Sequence, residues 1–183
     1  MPARRSSDSA IAGADEVLHR VFAAPRALVF EVWTRTEHFE RWFAPHGAEV
    51  VDCELDPRPG GIIRFGHRLP DGWTLYLKGS FGQVVPNERL TFAFGFVDEQ
   101  GRPRHHPMFP KWPLDASLEV TVTFEDVGSG TRVRLWHRLM PPEIVSYPSV
   151  KRWSELALQG WEQMFDRLGD HLSTAKTRKE RPT

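Results

Sequence analysis

The residues of this 183-residue chain with the clearest chemical potential are histidines. His67 and His137 fall on the apolar sides of two strand patterns in which apolar and polar residues alternate. An imidazole in such a place can accept or donate a proton near neutral pH. Both residues also end their apolar runs, where a histidine hydrogen-bonded at the edge of a sheet has only a structural role. The structural role is favoured, and proton transfer is the alternative.

The other reactive groups form no catalytic or metal-binding pattern. His105 and His106 are adjacent, so their side chains point apart on an extended chain, and no Cys-x-x-Cys or His-x-x-x-His pattern accompanies them. Cys53 lies in a strand without an activating neighbour, and no Gly-x-Ser-x-Gly is present. Gly60 and Gly61 follow prolines and open a strand, which indicates a turn rather than a phosphate-binding loop. The sequence therefore predicts no catalytic residue, no metal site and no cofactor, and an enzyme is not favoured.

The composition argues against several classes of protein. Lys plus Arg and Asp plus Glu both number 24, so the formal net charge is +0 and no basic excess favours nucleic acid. The single cysteine cannot form an internal disulfide, which fits a reducing compartment. No apolar run reaches the roughly 18 residues of a membrane span, and the N-terminal arginines precede no apolar signal segment. We expect a cytoplasmic protein without nucleic-acid or membrane partners.

Strand patterns separated by short turns dominate the chain. Pro25 ends the first strand and suits the start of a helix, and a second short helix follows. Turn residues separate the later strands, which predicts an antiparallel sheet of about six or seven strands and an α+β fold class. The expected strands cover residues 17–23, 48–55, 62–68, 73–85, 89–97, 116–125 and 131–137.

One domain is expected over residues 15–172. It lies between a disordered N-terminal tail (1–14) and a basic, disordered C-terminal tail (173–183). Its last element is a long amphipathic helix over 150–172, whose apolar residues recur at spacings of three and four. Gly160 lies inside this helix at a cost of about 1 kcal/mol relative to Ala, and close approach of the helix to the sheet is the expected reason.

Several short motifs resemble one known family. Residues 20–30 read Arg-x-Phe-x-Ala-Pro-x-x-x-Val-Phe, residues 56–61 read Asp-x-Arg-x-Gly-Gly, and a late Gly-Trp pair is present at 160–161. With Trp33 and Trp42, this order resembles the START-like (SRPBCC) superfamily and, within it, the family named for the activator of heat-shock protein 90 ATPase. The resemblance covers about residues 16–172. It implies the helix-grip fold of polyketide cyclase and Bet v-like proteins, a curved sheet wrapped around the C-terminal helix.

A curved sheet and a long helix leave a wedge between them, which predicts a pocket. The resemblance implies that such a cavity takes hydrophobic ligands, and the alternative is that aromatic side chains fill it. The loop 98–114 is expected either to cover the pocket through Met108, Phe109 and Trp112 or to pack its own aromatic residues at the surface. The predicted pocket residues are Trp33, Trp42, Phe65, His67, Trp73, Leu75, Phe81, Phe92, Phe94, Leu118, Val120, Leu135, His137 and Trp161.

Three functions follow from these observations. The favoured one is a START-like domain that binds a small hydrophobic molecule without catalysis. The first alternative is an enzyme resembling polyketide cyclases and aromatases, with His67 and His137 moving protons in the same pocket. The second is a partner-binding role like that of the family's namesake, which stimulates a chaperone ATPase. An exposed sheet edge or the apolar loop would also allow a homodimer.

Overall fold

Seven strands and three α-helices make up the computed structural model, which describes residues 15–179. A 3₁₀ helix at Pro142–Ser146 precedes the last α-helix. The α-helices are α1 (Arg26–Thr34), α2 (Thr36–Trp42) and α3 (Val150–Lys179). The strands are β1 (Asp15–Phe22), β2 (Glu49–Leu55), β3 (Ile62–Arg68), β4 (Thr74–Val85), β5 (Arg89–Val97), β6 (Ser117–Val127) and β7 (Gly130–Met140).

All seven strands form one antiparallel sheet in the order β1-β7-β6-β5-β4-β3-β2. Strands β2 to β7 follow one another through the sheet, and β1 adds to the free side of β7. The sheet curls around α3 as a half-barrel, with α1 and α2 placed after the first strand. The predicted α+β fold class, the number of strands and the helix-grip arrangement are confirmed.

Alternation along the strands separates an apolar inner face from a polar outer face. On β6, Val120, Val122 and Phe124 are almost completely buried. Just before them, Glu119 lies on the outer face, where its carboxylate accepts a hydrogen bond of 2.6 Å from the guanidinium of its cross-strand partner Arg138. The inner face therefore supplies one wall of the core, as expected for a sheet covered on one side.

Helices α1 and α2 fill one end of the half-barrel. The backbone carbonyl of Pro25 accepts the first hydrogen bonds of α1, from the amides of Leu28 and Val29. Trp33 of α1 packs against Trp42 of α2 with ring centroids 4.6 Å apart. The indole N–H of Trp42 donates to the carbonyl of Val32 at 2.9 Å, so this buried polar atom is satisfied.

Helix α3 is longer than the sequence indicated. It begins at Val150 as expected but continues to Lys179, past residue 172, where the helix was predicted to end. The hydroxyls of Ser173 and Thr174 donate to the carbonyls of Gly169 and Asp170, one helical turn earlier. The apolar pattern ends near residue 172, but a helix needs no apolar face to continue for a further turn or two. The predicted N-terminal tail and residues 180–183 lie outside the described residues.

A smaller apolar cluster lies beside the main core. Phe109, Trp112, Ala116, Leu139, Ile144 and Trp153 are buried in it. It joins the loop 98–114 to the 3₁₀ helix and to the first turns of α3. Within residues 15–179, no helix is long and apolar enough to cross a membrane.

Candidate functional site

A cavity of about 420 Å³ lies between the sheet, the N-terminal half of α3 and the loop 98–114. Its volume is in the range of small-molecule sites, about 300–1,000 Å³. Strands β3 to β7 supply one wall, and α3 supplies the opposite wall through residues spaced three or four apart. These α3 residues are Trp153, Leu156, Ala157, Gly160, Trp161 and Met164.

The cavity brings together many of the residues singled out in the sequence. On the sheet side they are Phe65, His67, Trp73, Leu75, Phe94 and Leu118, and on the helix side Trp161. The three residues of the predicted cover, Met108, Phe109 and Trp112, also line the cavity. Phe109 and Trp112 are buried and stacked on each other at 4.8 Å, whereas Met108 is 56% exposed. The loop therefore both packs its own aromatic rings and closes part of the cavity.

Seven predicted pocket residues do not line the cavity but lie beside it. They are Trp33, Trp42, Phe81, Phe92, Val120, Leu135 and His137. All but His137 are buried in the main core. Trp33 shows the reason, because its ring contacts the rings of Phe92, Phe124 and Phe165 as well as Trp42. Aromatic side chains thus fill one half of the wedge between sheet and helix, and the other half stays open.

His137 lies behind the cavity wall. Its Nδ1 accepts a hydrogen bond of 3.1 Å from the indole N–H of Trp161, and its ring packs against Trp153 at 5.2 Å. Since both tryptophans line the cavity, His137 holds the wall in position.

The glycine at position 160 borders open space and is not a point of close contact between helix and sheet. A Cβ at this position would meet nothing within 4 Å, so the helix does not approach the sheet closely there, contrary to the expectation from the sequence. Because Gly160 lines the cavity, the absence of a side chain leaves the cavity wider at the middle of α3.

His67 supplies one polar group to the wall. Its Nε2 lies 2.7 Å from the backbone carbonyl of Phe43, which follows α2. Burial lowers the pKa of His67 to about 4, and the nearby charge of Arg167 acts in the same direction. The ring is therefore neutral at neutral pH.

His106 supplies the second polar group and was overlooked as a pocket residue. Its Nδ1 accepts a hydrogen bond of 3.0 Å from the backbone N–H of Met108. Its ring packs on Phe96 at 4.2 Å and on Phe109 at 4.6 Å. Burial lowers the pKa of His106 to about 4, so this ring is also neutral. The loop has no periodic pattern, so the sequence offered no signal that His106 faces inward.

Arg167 fastens the segment that follows α2 to helix α3. Its Nη1 donates to the carbonyls of Ala44 at 2.8 Å and Ala48 at 2.9 Å, and more weakly to that of Pro45 at 3.2 Å. Its Nη2 donates to the carbonyl of Arg41 at 3.1 Å. One cation on α3 thus satisfies four carbonyls next to the cavity.

The entrance is marked by the exposed residues among those that line the cavity. Trp73 is 40% exposed, Leu156 39% and Met108 56%. No Asp, Glu, Lys or Arg of the described chain lines the cavity, which is otherwise built almost entirely from carbon. Such a site favours apolar molecules, because a buried charge without a partner is strongly disfavoured.

The remaining reactive groups lie elsewhere. Cys53 is partly buried, and burial, together with the charge of Glu40, raises the pKa of its thiol to about 12. Such a thiol stays protonated and is a weak nucleophile. Over the described part of the chain, no group of three or more His, Cys, Asp or Glu side chains is placed to hold a metal ion.

Comparison with known proteins gives a consistent result. The family described as Activator of Hsp90 ATPase homolog 1-like protein matches residues 23–173. Among curated proteins, none matches the sequence. A solution structure from Arthrobacter aurescens has a TM-score of 0.70 at 20% identity, covering 90% of this chain and 92% of its own.

Two crystal structures give similar values. A protein from Rhizobium leguminosarum is 27% identical with a TM-score of 0.63, and covers 86% of this chain and 92% of its own. An AHSA1 protein from Silicibacter pomeroyi is 20% identical with a TM-score of 0.66, and covers 86% of this chain and 96% of its own. The two matches at 20% identity establish the fold alone.

Proposed function

Because the chain belongs to the Activator of Hsp90 ATPase homolog 1-like family, and because a fold does not by itself define an activity, we propose a function from the cavity. The protein binds a small apolar molecule between the sheet and α3. The observation that carries this proposal is the cavity itself, about 420 Å³ of apolar space beside a densely packed aromatic core.

An open pocket of this size with apolar walls needs an explanation. Soluble proteins rarely leave a large apolar surface exposed unless it binds something. The same chain packs the neighbouring half of the wedge completely, with Val29, Val32 and Phe165 at 0% exposure. Gly160 adds to the argument, because a glycine inside a helix costs about 1 kcal/mol relative to Ala and here makes no close contact. A bound ligand accounts for both features.

Proton-transfer catalysis in the same cavity is less well supported. Of the two histidines considered for it, His67 lines the cavity and His137 lies behind the wall. A general acid or base works best when its pKa is near the operating pH. Burial lowers the pKa of His67 to about 4, so its neutral ring is a weak base. Ligand binding without catalysis therefore fits this site better than cyclase-like proton transfer.

The test is a binding measurement with a cavity-filling variant. N-phenyl-1-naphthylamine, a neutral apolar dye that fluoresces when removed from water, should bind the wild-type protein. Gly160→Leu places a side chain in the cavity, and we expect it to weaken dye binding by about tenfold or more. Gln159→Leu adds the same side chain one residue earlier, at an exposed position, and is the matched control.

Two further measurements accompany the dye titration: native mass spectrometry and circular dichroism. The native mass of gently purified protein, compared with its denatured mass, shows whether a molecule is retained during purification. Equal dye affinity in wild type and Gly160→Leu, with both folded by circular dichroism, would refute binding in this cavity.

A further inference from the structure

The hydrogen bonds made by the two cavity histidines determine which of their ring nitrogens carries the proton. A carbonyl oxygen can only accept, so the Nε2 of His67 must donate to the carbonyl of Phe43. A neutral imidazole has one N–H, so the Nδ1 of His67 is a bare acceptor. This Nδ1 makes no hydrogen bond with any described residue, although His67 lines the cavity.

His106 has the opposite arrangement. A backbone N–H can only donate, so the Nδ1 of His106 must accept from Met108. The proton of the neutral ring is then on Nε2, which is a donor without a hydrogen-bond partner among residues 15–179. Burial lowers the pKa of both histidines to about 4, so both assignments hold at neutral pH.

The two histidines lie on either side of β4. His67 on β3 is paired with Leu75 of β4, and the ring of His106 rests on Phe96 of β5, which is paired with Leu77 of β4. Two strand spacings amount to about 10 Å. Leu75 and Leu77, which also line the cavity, supply an apolar surface between the two polar groups.

We propose that the ligand is a neutral, mainly apolar molecule with a hydroxyl or N–H group that donates to His67 Nδ1 and a carbonyl-type oxygen that accepts from His106 Nε2. This inference rests on the proposed function, since it names the chemical class that the same cavity selects. Carboxylates are disfavoured, because the wall offers no cation to pair with a buried negative charge. Pure hydrocarbons leave both nitrogens without partners when they displace water from the cavity.

A matched set of four compounds tests the inference by titration calorimetry at pH 7. They are 3-hydroxybenzophenone, benzophenone without the hydroxyl, 3-benzylphenol without the carbonyl, and the anion 3-benzoylbenzoate. We expect 3-hydroxybenzophenone to bind about fivefold more tightly than either neutral analogue, the difference that one neutral hydrogen bond gives. The anion should bind at least about tenfold more weakly than 3-hydroxybenzophenone.

Variants assign each preference to its histidine. In His67→Phe the preference for the hydroxyl should disappear while the preference for the carbonyl remains, and in His106→Phe the reverse should hold. His67→Gln keeps an N–H for the Phe43 carbonyl and supplies an amide oxygen, so it should restore the hydroxyl preference. A purely structural role would weaken all neutral ligands by the same factor instead.

The outcomes separate the two proposals. Benzophenone binding with no gain from the hydroxyl or the carbonyl, or tightest binding of 3-benzoylbenzoate, overturns the inference and leaves the binding function intact. Failure of all four compounds and of N-phenyl-1-naphthylamine to bind overturns the proposed function, and the inference with it.

Discussion

We expect acidification from pH 7 to pH 5 to destabilise the protein through His67. The pKa of His67 is lowered by burial from 6.5 to about 4. Between these two values the unfolded chain binds the proton and the folded protein does not. The contribution of His67 to stability is therefore complete above pH 6.5 and is lost as the pH falls toward 4.

The expected loss of unfolding free energy follows from the two pKa values. The difference between 6.5 and about 4 corresponds in full to about 3 kcal/mol, at 1.36 kcal/mol per pKa unit. About 2 kcal/mol of this should be lost between pH 7 and pH 5, because the folded ring is still mostly neutral at pH 5. His106, whose pKa is lowered in the same direction, adds to the loss.

The assay is urea unfolding at pH 7, 6 and 5, followed by tryptophan fluorescence. His67→Gln cannot take up a proton and keeps a donor for the Phe43 carbonyl, so its unfolding free energy should fall by about 2 kcal/mol less than that of wild type. His46→Gln removes a histidine whose side chain is 55% exposed and serves as the control. If His67→Gln and wild type lose the same free energy, burial of a neutral His67 is refuted.

Two further substitutions test the surroundings of the cavity. Arg167→Met removes the guanidinium that donates to four carbonyls. The unfolding free energy measured in denaturant titrations should fall by about 2–3 kcal/mol, because hydrogen bonds to charged groups are the stronger ones. An unchanged unfolding midpoint would show that water replaces these bonds at no cost. Gly160→Ala adds a methyl group that meets nothing within 4 Å. The melting temperature should therefore rise, which corresponds to a gain of about 0.5–1 kcal/mol in the free energy of unfolding. A lower melting temperature would mean that the helix does need a glycine at this position.

The sequence was a good guide where the signals were local. Pro25 marked the start of α1, and alternation along β6 placed Val120, Val122 and Phe124 on the inner face, where all three are buried. Short turns after β3, β4 and β6 indicated that each of these strands pairs with the next one, as it does. These features depend on a few adjacent residues at a time, whereas the pairing of β1 with β7 joins distant parts of the chain and has no local signal.

The extent of the cavity could not be read in the same way. Alternation shows that Phe92 and Phe94 share a face, but only Phe94 reaches the cavity. The difference arises because α1 places Trp33 against Phe92, a contact between distant parts of the chain. His106 lies in a loop without periodicity, and its inward position depends on packing against Phe96 and Phe109.

The guanidinium of Arg167 has a consequence for how molecules enter and leave. It donates to the carbonyl of Arg41 in the last turn of α2 and to those of Ala44, Pro45 and Ala48 in the segment that follows. Any movement of α3 away from the segment 41–48 would break all of these bonds at once. The contact therefore holds the helix in place on this side of the cavity. A molecule that enters the cavity past the exposed side chains of Trp73, Leu156 and Met108 leaves all of these bonds intact.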